Sequence, residues 1–314
     1  MLNIAVVWVD SENTPWKEAI DEHTVNGIVE CLTELDCLVD IIEITEIPTD
    51  KIAEELCAYD CILNLSYGIH AWTQADLAFW FDLKKIPQIA SSGLAQRIAQ
   101  DKLSVEYRCL DKGIQVPISL ISKDEIEDNL MYISKPRFGG CHRGISIKEG
   151  LEIKDNWLEF SGKDLLIQPY YIGREFSIAV IPNIQADGFE ALPPLEIVPF
   201  PERDVFIAGS SFGETRRNFE PQLAQAKIEQ MQAIALAAHK LIGLDYYSRC
   251  DFRLVGDEIY LLDVNAMPNL HHKFSMLPAL LVQHNIGMKE FVRRLLSLYY
   301  LKNKAHQDAL DLVF

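Results

Sequence analysis

The sequence predicts a mixed fold, in which a parallel α/β lobe is followed by α+β structure. Two observations support this prediction. In residues 1–95, short apolar runs alternate with segments whose apolar residues recur at helical spacing. From residue 118 to residue 200, short strands are separated by turns that contain Gly and Asn. The length of 314 residues allows two or three domains with ample core.

The N-terminal lobe is expected to contain three buried strands, "NIAVVWV", "LVDIIEI" and "DCILNLS". Helices are predicted between and after these strands, at "WKEAIDEHTVNGIVECLTEL", "KIAEELCAY" and "TQADLAFWFDLKK". Strands that alternate with helices imply right-handed crossover connections and therefore a parallel sheet.

The remaining elements begin with one helix over residues 93–113, which ends at a glycine before Pro117. Short strands follow at "ISLIS", "MYISKP", "GISIK", "DLLIQPYY", "FSIAVIPN" and "PPLEIVP". Residues 201–218 are predicted to form a polar loop, of a length common in lids and binding loops. A helix at "QLAQAKIEQMQAIALAAHKLIG" precedes two strands, "CDFRLV" and "EIYLLDVN", and further helices end the chain.

Neither a nucleic-acid nor a membrane partner is expected. The formal net charge is −17, whereas nucleic-acid backbones are bound by clustered Lys and Arg. No apolar run approaches the roughly 20 residues that span a bilayer, and the N-terminus lacks the features of a signal peptide. Seven cysteines without a CxxC pair are typical of reduced thiols, so a cytoplasmic location is expected. The oligomeric state is left open, with a homodimer among the alternatives.

Two aspartates and an asparagine interrupt the last predicted strand pair. Asp251 lies near the start of the first strand, and Asp263 and Asn265 share one face of the second because they are two residues apart. Carboxylates in an apolar setting are costly unless a cation neutralises them, and hard oxygen ligands suit Mg²⁺. The alternative interpretation is a solvated sheet edge with hydrogen-bonded turns.

A glycine-rich loop follows Lys135 in "YISKPRFGGCHRGISI". Gly139, Gly140 and Gly144 would let the backbone approach a phosphate closely. The stretch also carries Arg137, His142 and Arg143 in an otherwise acidic chain. The alternative is a glycine hairpin with a solvated basic tip, and no Walker motif is present.

Two further stretches have features of a nucleotide site. In "LLIQPYYIGREFSIAVI", the aromatic pair Tyr170–Tyr171 and the turn before Glu175 suit an adenine slot and a contact to ribose hydroxyls. Core tyrosines beside a β-turn are the alternative. In "SSGLAQRIAQDKLSVEY", Lys102 is predicted to lie inside a helix, where a solvated lysine is the simpler interpretation.

Together and in this order, the four stretches resemble the ATP-grasp superfamily, specifically its D-alanine–D-alanine ligase branch, over most of residues 60–270. The resemblance implies three domains: an N-terminal α/β domain (1–93), a central ATP-grasp subdomain (94–174) and a C-terminal subdomain with a metal site (175–314). It implies ATP and Mg²⁺ as cofactors, with two ions expected and Mn²⁺ as an alternative.

The resemblance also implies the site residues. Catalytic roles are implied for Arg249, Lys135, Gly140, Cys141 and His142. Nucleotide contacts are implied for Lys102, Lys135, Gln168, Tyr170, Tyr171, Glu175 and Arg216, and metal ligation for Asp251, Asp263 and Asn265.

The reaction implied by the resemblance is ligation of a small carboxylic acid to an amine or amino acid. A carboxylate attacks the γ-phosphate of ATP to give an acyl phosphate, and the amine then displaces phosphate. The protein would contribute positioning and charge stabilisation. The 201–218 loop would exclude water, with Arg216 and Arg217, or Ser210 and Ser211, as its phosphate contacts.

Departures from the family pattern lie mainly in the amino-acid site. Asp263 stands where the family usually has Glu. The ammonium-binding segment is not matched, although Glu12 or Glu18 could substitute, and the next family segment keeps only Gly68. Asn269 replaces a glycine whose amide lines the oxyanion site.

Three functions are therefore considered. The first is a ligase with substrates other than two D-alanines. The second is a divergent D-alanine–D-alanine ligase, and the third is a catalytically silent ATP-binding regulator. Aromatic and imidazole side chains near the strand ends of the first lobe suggest a larger or flatter first substrate, unless they are packing residues. These residues are Trp8, Trp16, Tyr67, His70 and Trp72.

Overall fold

A computed structural model of the chain describes residues 1–10, 20–139, 144–161, 164–183, 188–200, 205–206, 215–271 and 275–311. Within these ranges, the side chains of residues 160, 161 and 304–311 are not described.

The N-terminal lobe is a parallel sheet with strand order β2-β1-β3-β6. Its elements are β1 (Asn3–Trp8), α1 (Glu22–Thr33), β2 (Leu38–Glu43), α2 (Asp50–Leu56), β3 (Cys61–Leu65), a small hairpin of β4 (Gly68–Ile69) and β5 (Trp72–Thr73), α3 (Gln74–Leu83) and β6 (Gln88–Ile89). The three predicted strands and the parallel sheet are confirmed. Helix α1 begins at Glu22, where the Asp21 side chain caps it by accepting a hydrogen bond from Thr24 N, and residues 16–19 of the predicted helix lie outside the described residues.

The helix predicted over residues 93–113 is two helices, α4 (Gly93–Gln100) and α5 (Lys102–Asp111). Asp101 breaks the run, because its extended backbone and its side chain cap α5. The carboxylate accepts hydrogen bonds from Leu103 N and Ser104 N. Lys102 is consequently the first residue of α5 and does not lie inside a helix.

A three-stranded antiparallel sheet follows, with strand order β8-β7-β9. Its elements are β7 (Met131–Pro136), β8 (Ser146–Glu149), α6 (Gly150–Asp155), α7 (Trp157–Ser161) and β9 (Leu165–Pro169). The strand predicted at residues 118–122 does not form, and its backbone bond to the sheet is Leu120 N donating to Ile167 O. The helices α6 and α7 were not predicted.

The largest sheet is antiparallel, with strand order β13-β12-β10-β14-β15 and β11 also paired to β10. The remaining elements are β10 (Arg174–Asn183), β11 (Gly188–Ala191), β12 (Leu195–Pro199), β13 (Thr215–Asn218), α8 (Gln225–Ile242), β14 (Ser248–Val255), β15 (Glu258–Asn265), α9 (Met276–Gln283) and α10 (Met288–Asp311). The predicted hairpin of β14 and β15 is confirmed. Strand β13 corrects the predicted loop, because residues 215–218 pair with β12.

The two faces of the large sheet differ in chemistry. Phe176, Ile178 and Phe252 point to one face and pack in a buried cluster with Met231 and Ala235 of α8. Because side chains alternate along a strand, Glu175 and Ser177 of β10 and Arg249, Asp251 and Arg253 of β14 form a polar region on the other face, beside the buried Ala179 and Ile181. The sheet thus presents charged groups over a rigid apolar core.

Helices α4 and α5 contribute buried residues to the core behind the large sheet. Both helices belong to the central subdomain in the predicted division, so the three-domain boundaries stay a prediction. None of the described helices is long and apolar enough to cross a membrane.

Candidate active site

The polar face of the large sheet brings the predicted metal ligands together. Asp251 on β14 lies directly opposite Asp263 on β15, and Arg249 lies opposite Asn265. On the other side of β14, Ser177 of β10 is the partner of Asp251. Residues opposite each other in an antiparallel pair point to the same face, so these groups form one cluster.

The Asp251 carboxylate is held in one orientation. Ser177 Oγ donates to Oδ1 at 2.5 Å, and Arg249 donates from Nε to Oδ1 at 3.0 Å and from Nη2 to Oδ2 at 2.9 Å. Asn265 Oδ1 accepts from Met267 N at 3.1 Å, which fixes the amide. Two carboxylates and an amide oxygen on one face are a donor set that suits a hard cation.

Within the described ranges, no group of three or more His, Cys, Asp or Glu side chains is arranged to hold a metal ion. The present cluster contains only two carboxylates, Asp251 and Asp263, and its third donor is an amide. Metal ligation by these residues therefore stays a prediction.

Two lysines face this cluster across a cleft. The cleft is lined by Lys102, Val105, Glu106, Val116, Pro117, Lys135, Gln168, Leu261, Leu262 and Asp263. Lys135 comes from the end of β7 and is buried, which lowers the pKa of its amine to about 8 against the opposing effect of Asp263. Lys102 also contributes to this lowering, so the two ammonium groups lie close enough to repel each other.

The start of the glycine-rich loop is fixed to α5. Arg137 donates two hydrogen bonds to the Asp101 carboxylate, at 2.7 and 2.6 Å, and Lys102 Nζ donates to Gly139 O at 2.7 Å. Gly144 has a φ of +69° and a Cβ there would lie 3.0 Å from the Pro136 ring, so any other residue would be strained. The tip of this loop lies outside the described residues, and it contains the predicted site residues Gly140, Cys141, His142 and Arg143.

Gln168 is held in one orientation at the back of the cleft. Its Nε2 donates to Glu106 Oε2 at 3.0 Å, Pro117 O at 2.9 Å and Ser119 Oγ at 3.1 Å. Glu106 and Pro117 offer only acceptors and the Ser119 hydroxyl already donates to Glu106 Oε2, so the amide nitrogen must face all three. Among the described residues Oε1 has no hydrogen-bond partner although it is buried. A buried acceptor without a partner marks a place where a ligand can donate.

The predicted adenine and ribose residues form two separate arrangements. Tyr171 stacks on Tyr260 with ring centroids 4.3 Å apart. Glu175 pairs with Arg253, whose Nη2 donates to Glu175 Oε2 at 2.7 Å, and both are buried. Burial raises the pKa of Glu175 to about 7, and Arg253 opposes this effect. Tyr170 belongs to the same cluster, because Arg253 Nη1 lies 3.3 Å from its hydroxyl.

The two arginines of β13 point to opposite faces. Arg217 is paired with Ile197 of β12, and Ile197 is paired with Glu175 of β10. Because paired residues point to the same face, Arg217 lies on the face that carries Glu175. Burial lowers the pKa of its guanidinium. Arg216 is exposed, and its guanidinium carbon lies 3.6 Å from the centroid of the Phe200 ring. Its predicted nucleotide contact stays a prediction, and Ser210, Ser211 and most of the predicted lid lie outside the described residues.

The side chains proposed to contact the first substrate are dispersed. Trp8 and Tyr67 are buried in the core between the N-terminal sheet and α10, and Tyr67 Oη donates to Pro268 O at 3.3 Å. Trp72 is partly buried against the other face of that sheet, and His70 is exposed. Trp16, like Glu12 and Glu18, lies outside the described residues. This placement favours the packing interpretation for Trp8 and Tyr67.

Three residues of the site were not singled out from the sequence. Arg253, Ser177 and Glu106 contact Glu175, Asp251 and Gln168, respectively. A signal for Arg253 was present, because charged residues 249, 251 and 253 alternate with the apolar residues 250, 252 and 254. That period of two places all three charges on one face.

The cleft combines two ammonium groups with oxygen donors on an adjacent sheet, over the core of an α/β protein. This arrangement suits a ligand that carries phosphates, and with the comparisons that follow it places the chain in the ATP-grasp class of ligases. Residues 123–297, more than half of the chain, match the family described as "D-ala D-ala ligase C-terminus". The chain belongs to that family, and it is an ATP-dependent ligase that forms C–N bonds.

Similar proteins extend this comparison. The chain is 29% identical over 235 residues to a D-alanine–D-alanine ligase of Geobacter sulfurreducens, covering 71% of this chain and 72% of that protein. A D-alanine–D-alanine ligase of Thermotoga petrophila is 26% identical over 262 residues, covering 81% and 84%.

Solved structures show the same fold. The D-alanine–D-alanine ligase of Bacillus anthracis complexed with ATP has a TM-score of 0.72 at 18% identity, covering 98% of this chain and 100% of that one. The D-alanyl-alanine synthetase A of Vibrio cholerae has a TM-score of 0.76 at 17% identity, covering 96% and 99%. These two comparisons support the predicted ATP-grasp fold.

Proposed function

We propose that the chain uses ATP and Mg²⁺ to join a carboxylic acid to an amine through an acyl phosphate, with substrates other than two D-alanines. The observation that supports it best is the position of Lys135, buried at the end of β7 with Asp263, Lys102 and Glu106 around it. A buried lysine beside a second lysine is costly without an anion, and the phosphates of ATP would supply that anion.

Each described residue has a proposed role in the nucleotide half of the site. Lys102 and Lys135 hold phosphate oxygens, Gln168 accepts a hydrogen bond from the base, and Glu175 binds the ribose. Asp251, Asp263 and Asn265 would hold Mg²⁺, which when bound offsets the charge of the phosphates.

In the reaction half, Arg249 has the role of stabilising the tetrahedral oxyanion that forms when the amine attacks. Its two hydrogen bonds to Asp251 keep the guanidinium beside the predicted metal ligands. The positions of the reacting groups would then be set by the sheet rather than by mobile side chains.

The amino-acid half of the site supports a change of substrate. Asn269 stands where the family has glycine, and its Oδ1 accepts from His271 N at 2.7 Å, which closes a turn. The Nε2 atom of His271 lies 3.2 Å from Oδ2 of Asp21, the residue that caps α1. The turn at residue 269 therefore contacts the first lobe. A side chain at position 269 changes the surface beside the predicted metal ligands.

A D-alanine–D-alanine ligase is the second candidate, and the names of the similar proteins favour it. ADP release should be measured with ATP and Mg²⁺ against D- and L-amino acids, singly and in pairs. We expect one pair to give turnover well above that of D-alanine alone. Efficient D-alanyl-D-alanine synthesis would establish the second candidate, and ATP binding without turnover would indicate a silent regulator.

A further inference from the structure

Arg253 lies at the centre of the predicted ribose and base contacts. Its Nη2 donates to Glu175 Oε2 at 2.7 Å, and its Nη1 donates to Gly173 O at 3.2 Å and lies 3.3 Å from Tyr170 Oη. One guanidinium therefore contacts the Glu175 carboxylate and both ends of the turn that precedes it.

The same arginine reaches residue 206 through Tyr170. Tyr170 Oη donates to Phe206 O at 3.0 Å and accepts from Phe206 N at 3.0 Å. The guanidinium carbon also lies 5.1 Å from the Tyr170 ring centroid and 5.0 Å from that of Phe206, within the range of cation–π contacts. Arg253, Tyr170 and Phe206 are all buried.

These contacts leave one oxygen of Glu175 available. Oε2 is occupied by Arg253, whereas Oε1 accepts no hydrogen bond within the part of the chain that the structure describes. Arg253 makes one charge-assisted hydrogen bond to this carboxylate, and the bond from Nη1 to Gly173 O holds the guanidinium itself in place. A carboxylate held in this way presents a single acceptor in a defined direction.

We propose that Arg253 is a positioning residue of the nucleotide site, which aims Glu175 Oε1 at the ribose hydroxyls and holds Tyr170 and Phe206 beside it. The inference rests on the proposed function, because bound ATP supplies the ribose. It adds a residue that orients the ribose-binding carboxylate but does not itself contact the ribose.

The test compares ATP with 2′,3′-dideoxy-ATP, which lacks both ribose hydroxyls. Dissociation constants for the two nucleotides, with Mg²⁺, would be measured calorimetrically for the full chain and for Arg253→Met, Glu175→Gln and the double variant. We expect the unsubstituted protein to prefer ATP by about tenfold, as for a hydrogen bond to a charged group. Each single variant should lose this preference, while affinity for the dideoxy nucleotide changes by less than about twofold.

The double variant and a matched control make the result specific. If Arg253 acts through Glu175, the double variant loses no more preference than either single variant. Arg174→Met is the control, because Arg174 pairs instead with Glu196 and is half exposed. This control should keep the preference for ATP.

The outcomes separate the inference from the proposed function. Absence of binding of either nucleotide to the unsubstituted protein would contradict the proposed function. Binding with no ribose preference, or a preference that Arg253→Met retains, would overturn the role of Arg253. If Arg253→Met does not fold, Arg253→Lys keeps the charge but not the fork, and it should still lose most of the preference.

Discussion

Asp251 and Asp263 lie directly opposite each other on β14 and β15, and Arg249 donates two hydrogen bonds to Asp251. Two facing carboxylates repel each other unless a proton or a cation intervenes. Arg249 neutralises Asp251 and leaves Asp263 facing Lys135 across the cleft. The face therefore has an oxygen-rich centre with positive charge on both sides, which would suit the proposed complex of ATP and a divalent ion.

Replacing either of two predicted metal ligands should abolish most activity. Asp251→Ala and Asn265→Ala are each expected to lower turnover at least ~100-fold, by analogy with the loss of one electrostatic contact in a transition state. ADP release under saturating ATP and Mg²⁺ measures the effect. Asp257→Ala is the control, because Asp257 is fully exposed in the turn of the same hairpin. Near-normal turnover in both ligand variants would rule out the metal assignment.

ATP binding should weaken as the pH rises through about 8. Burial lowers the pKa of Lys135 to about 8, so the amine is charged below that pH and neutral above it. Because phosphates bind the charged form, the dissociation constant should rise by up to about tenfold per pH unit above 8. Titrations from pH 6.5 to 9.5, in roughly half-unit steps, would measure this. Lys135→Met should remove this dependence. Lys148→Met should keep it, because Lys148 lies on β8, is partly exposed and pairs with Glu152.

The stability of the free protein should change with pH in the opposite direction. Between pH 8 and 10.5 the unfolded chain protonates Lys135 while the folded protein does not. The unfolded state then binds more protons, so the free energy of unfolding rises with pH over this interval, by about 3 kcal/mol at most. Denaturant unfolding of the protein and of Lys135→Met would be compared at both ends of the interval. An equal change in both proteins would show that other groups cause it.

Gln168 should select the base. Its nitrogen is fixed by Glu106, Pro117 and Ser119, so the atom left for a ligand is the acceptor Oε1. We expect ATP to bind about three- to tenfold more tightly than purine riboside triphosphate, which lacks the 6-amino group. Gln168→Met should remove this preference, whereas Gln230→Met, on the exposed side of α8, should not. An unchanged preference in Gln168→Met would contradict the assignment.

The sequence predicted the parts of the site that depend on strand periodicity. Asp263 and Asn265 share a face because they are two residues apart, and the turn at Gly256 sets the hairpin. It did not predict the break at Asp101, because the amphipathic pattern continues through residue 101 and the capping hydrogen bonds decide the boundary. The strand predicted at 118–122 does not form although Leu120 N donates to Ile167 O of β9, because the apolar pattern of a segment does not show how far it pairs with a neighbouring strand.

Contacts between segments that are distant in the chain could not be predicted from the sequence. Glu106 on α5 and Gln168 on β9 are 62 residues apart, and Tyr170 reaches Phe206 across 36 residues. Polar partners of this kind are chosen by the packing of α5, β9 and β10 against one another. Local sequence propensities do not predict that packing. Glu106, Ser177 and Arg253 were therefore not predicted as site residues, although their partners were.

The most direct test of the account is the path of oxygen during turnover. The acid that gives the greatest ADP release would be labelled with ¹⁸O in its carboxylate, and the released phosphate would be analysed by mass spectrometry. An acyl phosphate intermediate predicts that one ¹⁸O passes from each acid to phosphate, with one amide formed per ADP. Unlabelled phosphate, or ADP release without amide formation, would contradict ligation through an acyl phosphate.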